Sequence, residues 1–181
     1  MNNRDIVYIA VFAALVGALG LLPPIPLPFL PVPITAQTLG VMLAGSFLGS
    51  KRGGFALLLF LTLVAIGLPI LSGGRGGIGV FMGPSGGFLL AFPIAAFAIG
   101  WLFERSPHRS KNVGFAILFN LLGGIVVLYS IGIPWLAIAA QMSLAKAAIG
   151  SAAFLPGDAV KAVIAALATI TVQKTYPILR A

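Results

Sequence analysis

The sequence predicts an all-α membrane protein with six spanning helices, on three observations. Of 181 residues, 60% are hydrophobic and only 8% charged, with a mean hydropathy of +1.12; soluble domains carry roughly 25% charged residues. The apolar residues gather into runs at 5–22, 34–50, 54–71, 87–103, 112–131 and 155–173, near the roughly 20 residues that carry a helix across about 30 Å of hydrocarbon. Between the runs lie short basic turns or segments dense in glycine and proline. The chain reads as a single integral membrane domain over residues 1–181.

Composition also excludes several classes of function. A net charge of +8 would suggest nucleic acid in a soluble protein, but no basic face is interleaved with aromatics here, so no nucleic-acid partner is expected. The absence of cysteine rules out disulfides and thiolate metal sites, and the single histidine, His108, cannot build a metal centre. Neither metal nor cofactor is expected.

The first run, 5–22, opens with Arg4 offset by Asp5 and ends in prolines without a small-residue cleavage site, so it reads as a spanning helix and not as a secretory signal. Ala10, Ala14 and Ala18 repeat at spacing four, a stripe that lets another helix approach closely. Six prolines between Pro23 and Pro33 forbid a helix there and predict a stiff surface loop. Thr35 suits a helix N-cap, with Gln37 and Thr38 following in the first turn, either as helix-bridging groups or as ligand contacts.

Lys51, Arg52, Gly53 and Gly54 predict a tight basic turn into the third run. Residues 72–87 are half glycine, with Arg75 the only charge. No Gly-Lys-Ser or Gly-Lys-Thr occurs there, which excludes a phosphate-cradling loop. Sixteen residues is long for a plain connector, so the segment is expected to cover a ligand, where glycine lets backbone approach closely. Beyond the fourth run, Glu104 to Lys111 forms a solvated hairpin holding His108 and Arg109. Asn120 lies near the middle of the fifth run, facing a ligand or bridging helices, and Pro134 and Trp135 suit an interfacial anchor. Residues 137–153 are too mixed for a span and read as a short interfacial helix or a pocket wall.

The sixth run begins near Pro156, in the first helical turn. Asp158 and Lys161 stand three residues apart, on one face of that helix. Each charge costs about 2.5–3.5 kcal/mol within a span, which points to a functional partner or a wet cavity; a self-neutralising structural pair is the alternative. With the N-terminus inside, Arg4, Lys51, Arg52, Arg105, Arg109, Lys111, Lys174 and Arg180 are cytoplasmic, which satisfies the positive-inside rule and places both termini in the cytoplasm. Arg75, Lys146 and Lys161 fall at the outer end, together with the proline and glycine segments. That arrangement predicts an extracytoplasmic pocket for a small polar or anionic molecule. A carboxylate would meet Lys161 or Arg75, while Asp158 accepts from ligand N–H groups.

The segments Pro33-Ile-Thr-Ala-Gln37, Leu43-Ala-Gly-Ser-Phe-Leu-Gly49, Gly67-Leu-Pro-Ile70, Gly83-Pro-Ser-Gly-Gly-Phe88 and Pro156-Gly-Asp-Ala-Val-Lys161 together resemble the BioY family. These are the biotin-specific substrate-binding subunits, or S components, of energy-coupling factor (ECF) transporters of prokaryotic plasma membranes. The likeness covers nearly the whole chain; Ser85 stands where the family more often has threonine, which keeps the hydroxyl. It implies a six-helix S component that binds biotin from outside and docks through Ala10 and Ala14 onto a transmembrane coupling (T) subunit driven by two ATPase subunits. It further implies a biotin site formed by Asp158, Lys161, Arg75, Gln37, Gly77, Gly79, Ser85 and Gly86. A stand-alone biotin facilitator and an S component for another small vitamin are the alternatives. Asp158 has neither a paired carboxylate nor a nucleophile, which speaks against an intramembrane enzyme. A pure scaffold would leave the outer polar groups without purpose.

Overall fold

The computed structural model describes residues 2–106 and 112–175. His108 of the expected hairpin, and Arg109, Lys111 and Arg180, assigned above to the cytoplasmic side, lie outside the described residues.

Helix α1, Asn3–Leu19, starts with a reciprocal cap in which the Asp5 carboxylate accepts from the Asn2 N–H at 2.9 Å. It buries Ile9, Ala13 and Val16, while Ala10, Ala14 and Ala18 remain exposed on the neighbouring face. The proline segment is more ordered than a stiff loop. It forms an antiparallel hairpin, β1 Ile25–Leu27 and β2 Leu30–Ile34, with Leu27 opposite Leu30. Leu30 and Val32 point inward and Pro31 outward, so a period of two overrides the expectation of irregularity, and proline's fixed φ fits the edge of a small sheet.

Helix α2, Gln37–Leu48, is buried along most of its length, and α3 runs over Ser50–Ala65. Only Gly49 separates them, at φ 83°, a backbone region that glycine enters without strain. The expected basic turn at Lys51 to Gly54 is therefore corrected: these residues are helical. The reason sits on another helix. Glu104 takes the Ser50 N–H at 2.8 Å and the Ser50 hydroxyl at 2.6 Å, capping α3 from outside so that it starts at once. The third run likewise stops as helix at Ala65, not near residue 71.

After a 3₁₀ turn at Ile78–Phe81 comes α4, Gly86–Arg105. Next, α5, Val113–Leu121, continues through a π turn at Leu122–Val127 into α6, Leu128–Ala139. Together they make a single 27-residue run, eight residues beyond the predicted end at 131. Pro134 and Trp135 thus belong to the last turns of this helix. A short α7, Leu144–Ser151, leads by a 3₁₀ turn at Ala152–Phe154 into α8, Leu155–Thr175.

The six membrane helices are α1, α2, α3, α4, the α5–α6 run and α8. Three helical runs, Gly86–Arg105, Val113–Ala139 and Leu144–Lys174, are long and apolar enough to cross a membrane by themselves. One core gathers Leu57, Phe60, Phe88 and Phe92. A second gathers Ile99, Phe103 and Phe119 against Ala162, Ala165 and Ala166 of α8. The start of α1, the α2–α3 turn and the end of α4 meet at one end, where Asp5 pairs with Arg52 at 3.3 Å beside the Ser50–Glu104 cap. At that end α8 is tied to α2 by Gln173, which donates to the Ser46 carbonyl at 3.2 Å. The hairpin, the glycine-rich segment and α7 lie at the other end.

Candidate functional site

A cavity opens at the hairpin end, between β2, the head of α2, residues 71–85, α4, α6 and the head of α8. Its apolar wall includes Leu71, Phe88, Phe92, Leu128 and Phe154, and its polar groups come from Thr35, Thr38, Arg75, Ser85, Tyr129, Asp158 and Lys161. The rings of Phe88, Tyr129 and Phe154 stand edge to face in a triangle with centroids 6.1, 6.1 and 6.3 Å apart, an arrangement aromatic pairs favour. The cavity volume is about 70 Å³, well below the roughly 300–1,000 Å³ of typical small-molecule sites.

Asp158 and Lys161 are fixed by the first turns of α8, where the i, i+3 spacing brings Lys161 Nζ within 2.8 Å of Asp158 Oδ1. Their side chains are only 4% and 14% exposed, and a buried charge persists only when its hydrogen-bonding capacity is met. Here it is met by three elements. Lys161 donates to Asp158, to the Thr38 hydroxyl at 2.8 Å and to the Thr35 carbonyl at 2.7 Å, which engages all three ammonium protons. Asp158 accepts from Thr38 at 3.0 Å on Oδ1 and from the Tyr129 hydroxyl at 2.7 Å on Oδ2. The pair is therefore both internally satisfied and turned into the cavity, so neither of the two sequence alternatives excludes the other.

Arg75 differs. Its Nε donates to the Ser72 carbonyl at 3.3 Å, while the guanidinium carries five donors in a planar fork. It lines the cavity from the glycine-rich side, opposite in sequence to the α8 pair, and its backbone bridges Leu71. Ser85 also lines the cavity, at the head of α4, where its side chain makes no capping bond.

Gln37 lines the cavity too, but its amide is already used. Nε2 donates to the carbonyls of Val16 and Ile70 at 3.1 Å each, and Oε1 accepts from the Ser72 N–H and hydroxyl at 3.1 and 3.3 Å. It braces α1, α2 and the glycine-rich segment. Gly77, Gly79 and Gly86 do not line the cavity. The Gly77 N–H donates to the Val64 carbonyl at 2.7 Å, while at Gly86 and Gly87 a side chain would collide with Phe81 and Trp135. The Trp135 indole donates to the Gly83 carbonyl at 3.0 Å, so these two glycines let α6 clamp the loop.

Sequence reasoning missed Tyr129, Phe88 and Phe154 as cavity residues. A tyrosine deep in an apolar run needs a partner for its hydroxyl, and that signal alone could have linked Tyr129 to Asp158. Asn120, by contrast, faces the bundle: it is fully buried, donates to the Ala116 carbonyl at 2.9 Å and does not line the cavity.

Comparison with known proteins follows this geometry. A family model described as the BioY family matches residues 1–178. The chain is 53% identical to a biotin transporter BioY of Rhizobium etli, across 100% of this chain and 99% of that protein. It is 46% identical to a biotin transporter BioY of Rhodobacter capsulatus, across 97% and 96%. A crystal structure of the S-component for biotin from an ECF-type ABC transporter superposes with a TM-score of 0.91 at 35% identity, over 96% of this chain and 95% of that one. Fold and sequence agree along essentially the whole length: this chain belongs to the BioY family.

Proposed function

We propose that the protein is the biotin-binding membrane subunit of an ECF transporter, not an enzyme, and that the cavity at the hairpin end is its biotin site. The observation that carries this reading is the buried Asp158–Lys161–Tyr129–Thr38 cluster sharing an aromatic-walled cavity with Arg75. Biotin offers matching chemistry: a carboxylate, a ureido group with two N–H donors and one carbonyl, and an apolar ring and chain. Arg75 takes the carboxylate, because its fork suits bidentate pairing and the protons of Lys161 are already engaged. The ureido N–H groups donate to Asp158 and the ureido carbonyl accepts from Ser85, and the thioether ring lies against Phe88 and Phe154. Gln37, Gly77, Gly79 and Gly86 support the site by positioning its walls.

Positive charge at the Arg52 end sets the orientation in a prokaryotic plasma membrane, with both termini cytoplasmic and the cavity facing outward. Surrounding lipids cover the bundle, and the exposed stripe of Ala10 and Ala14 on α1 meets the T subunit, which connects it to two ATPase subunits.

The test is calorimetric binding of biotin, thiamine and riboflavin to purified protein, followed by carboxyl-amidated biotin against Arg75→Gln and Lys161→Ala. Binding of biotin alone is expected. Arg75→Gln should erase the preference for biotin over its amide, and Lys161→Ala should weaken both ligands. Tighter binding of another vitamin overturns the biotin assignment, and an unchanged acid-over-amide preference in Arg75→Gln overturns the role of Arg75. Biotin uptake in cells lacking the coupling subunit and ATPases would replace the coupled reading with a stand-alone facilitator.

A further inference from the structure

A second concave surface lies on the outside of the bundle, between α3 and α4 near the Arg52 end. Residues Lys51, Gly54, Phe55 and Leu58 follow the i, i+3, i+4, i+7 pattern that places them on one face of α3. Across the groove, α4 contributes Ile94 and Phe97. The four large apolar walls, Phe55, Leu58, Ile94 and Phe97, are 46%, 49%, 51% and 47% exposed, so each is half in the protein and half in the surrounding medium. Gly54 lines the floor, facing Pro93 and Phe97 of α4. The channel volume is about 380 Å³, room for on the order of ten chain carbons if each takes about the space of a water molecule, roughly 30 Å³.

Lys51 is the one charge in the lining, and it is exposed in the first turn of α3. Its neighbours at this end are otherwise engaged, since Arg52 pairs with Asp5 and Arg105 stacks over Trp101 at 4.7 Å. An apolar channel between two helices with a lysine in its lining is complementary to one kind of molecule: a lipid with an acyl chain and a negative headgroup. We propose that the α3–α4 groove binds one anionic glycerophospholipid, with an acyl chain between Phe55, Leu58, Ile94 and Phe97 and the phosphate at Lys51. The lipid fills the channel and joins α3 to α4 along their outer edge.

Quenching by brominated lipids in nanodiscs tests the site, with Phe97→Trp as reporter in a Trp101→Phe background. The Trp101→Phe parent supplies the baseline from Trp135. Brominated phosphatidylglycerol should compete for the reporter about fivefold better than brominated phosphatidylcholine, the value of one lysine near an anionic headgroup. Lys51→Gln should bring the two lipids to parity, and Lys51→Arg should restore the difference. Equal quenching by both lipids with Lys51 in place, or a difference that survives Lys51→Gln, overturns the proposal. Native mass spectrometry gives a second readout: an anionic lipid retained by the protein with Lys51 and lost in Lys51→Gln supports the site, while retention by both overturns it. If a partner helix occupies the groove instead, Ile94→Trp abolishes association with the coupling subunit while lipid quenching shows no headgroup preference, and that outcome also overturns it.

Discussion

Tyr129 shows how a single hydroxyl is coupled to a buried charge. Its 2.7 Å bond supplies the only partner recorded for Asp158 Oδ2 among the described residues, and hydrogen bonds to charged groups contribute about 1.5–3 kcal/mol. Tyr129→Phe keeps the ring triangle but removes that donor, and should lower stability by about 1.5–3 kcal/mol in detergent unfolding. Lys161→Ala removes one half of a buried pair, and uncompensated charge of that kind costs about 3–5 kcal/mol. Unfolding in detergent should therefore be destabilised more by Lys161→Ala than by the combined Asp158→Asn and Lys161→Met variant, whose residues carry no unpaired charge. At this scale the sequence was readable where a rule of cost applied: two charges in an apolar run had to face something. Gln37 was not readable in that way, because its four hydrogen bonds reach the Val16 and Ile70 carbonyls and the Ser72 N–H and hydroxyl, whose positions depend on the assembled bundle.

Among elements, the errors of sequence reading share one cause. Lys51 to Gly54 reads as a turn locally, but a carboxylate 54 positions away caps the helix that contains it. The fifth run reads as ending at 131, but membrane helices tolerate proline where neighbours compensate, and α6 continues through Pro134 to Ala139. Tertiary partners overrode local preference in both cases, whereas the long apolar runs of α4 and α8 kept close to their predicted limits because hydrophobic length alone defines them. Two expectations follow at this scale. Glu104→Ala should lower thermal stability by about 0.5–2 kcal/mol, the usual range for a lost cap, without changing biotin affinity. Trp135→Phe frees the Gly83 carbonyl and loosens the clamp on the glycine-rich segment, so biotin should dissociate faster in stopped-flow measurements while its association rate changes less.

For the whole molecule, the two ends divide the work: one holds the Asp5–Arg52 and Ser50–Glu104 contacts, the other the cavity, and α1 runs between them with its alanines outward. If Ala10 and Ala14 form the docking stripe, Ala14→Leu should reduce co-purification of the T subunit at least tenfold, about the effect of 1.4 kcal/mol, and leave biotin binding in detergent intact. Fold class and the clustering of polar features at one end were legible because hydropathy and charge asymmetry act over the whole chain. The cavity's small volume was not, since it depends on how tightly Phe88, Phe154 and β2 close over α8. The proline hairpin has one more consequence. Two of the five residues of β2 carry no amide hydrogen, so a stray extended peptide has little to zip onto. The ribbon beside the cavity thereby resists sticking to its neighbours.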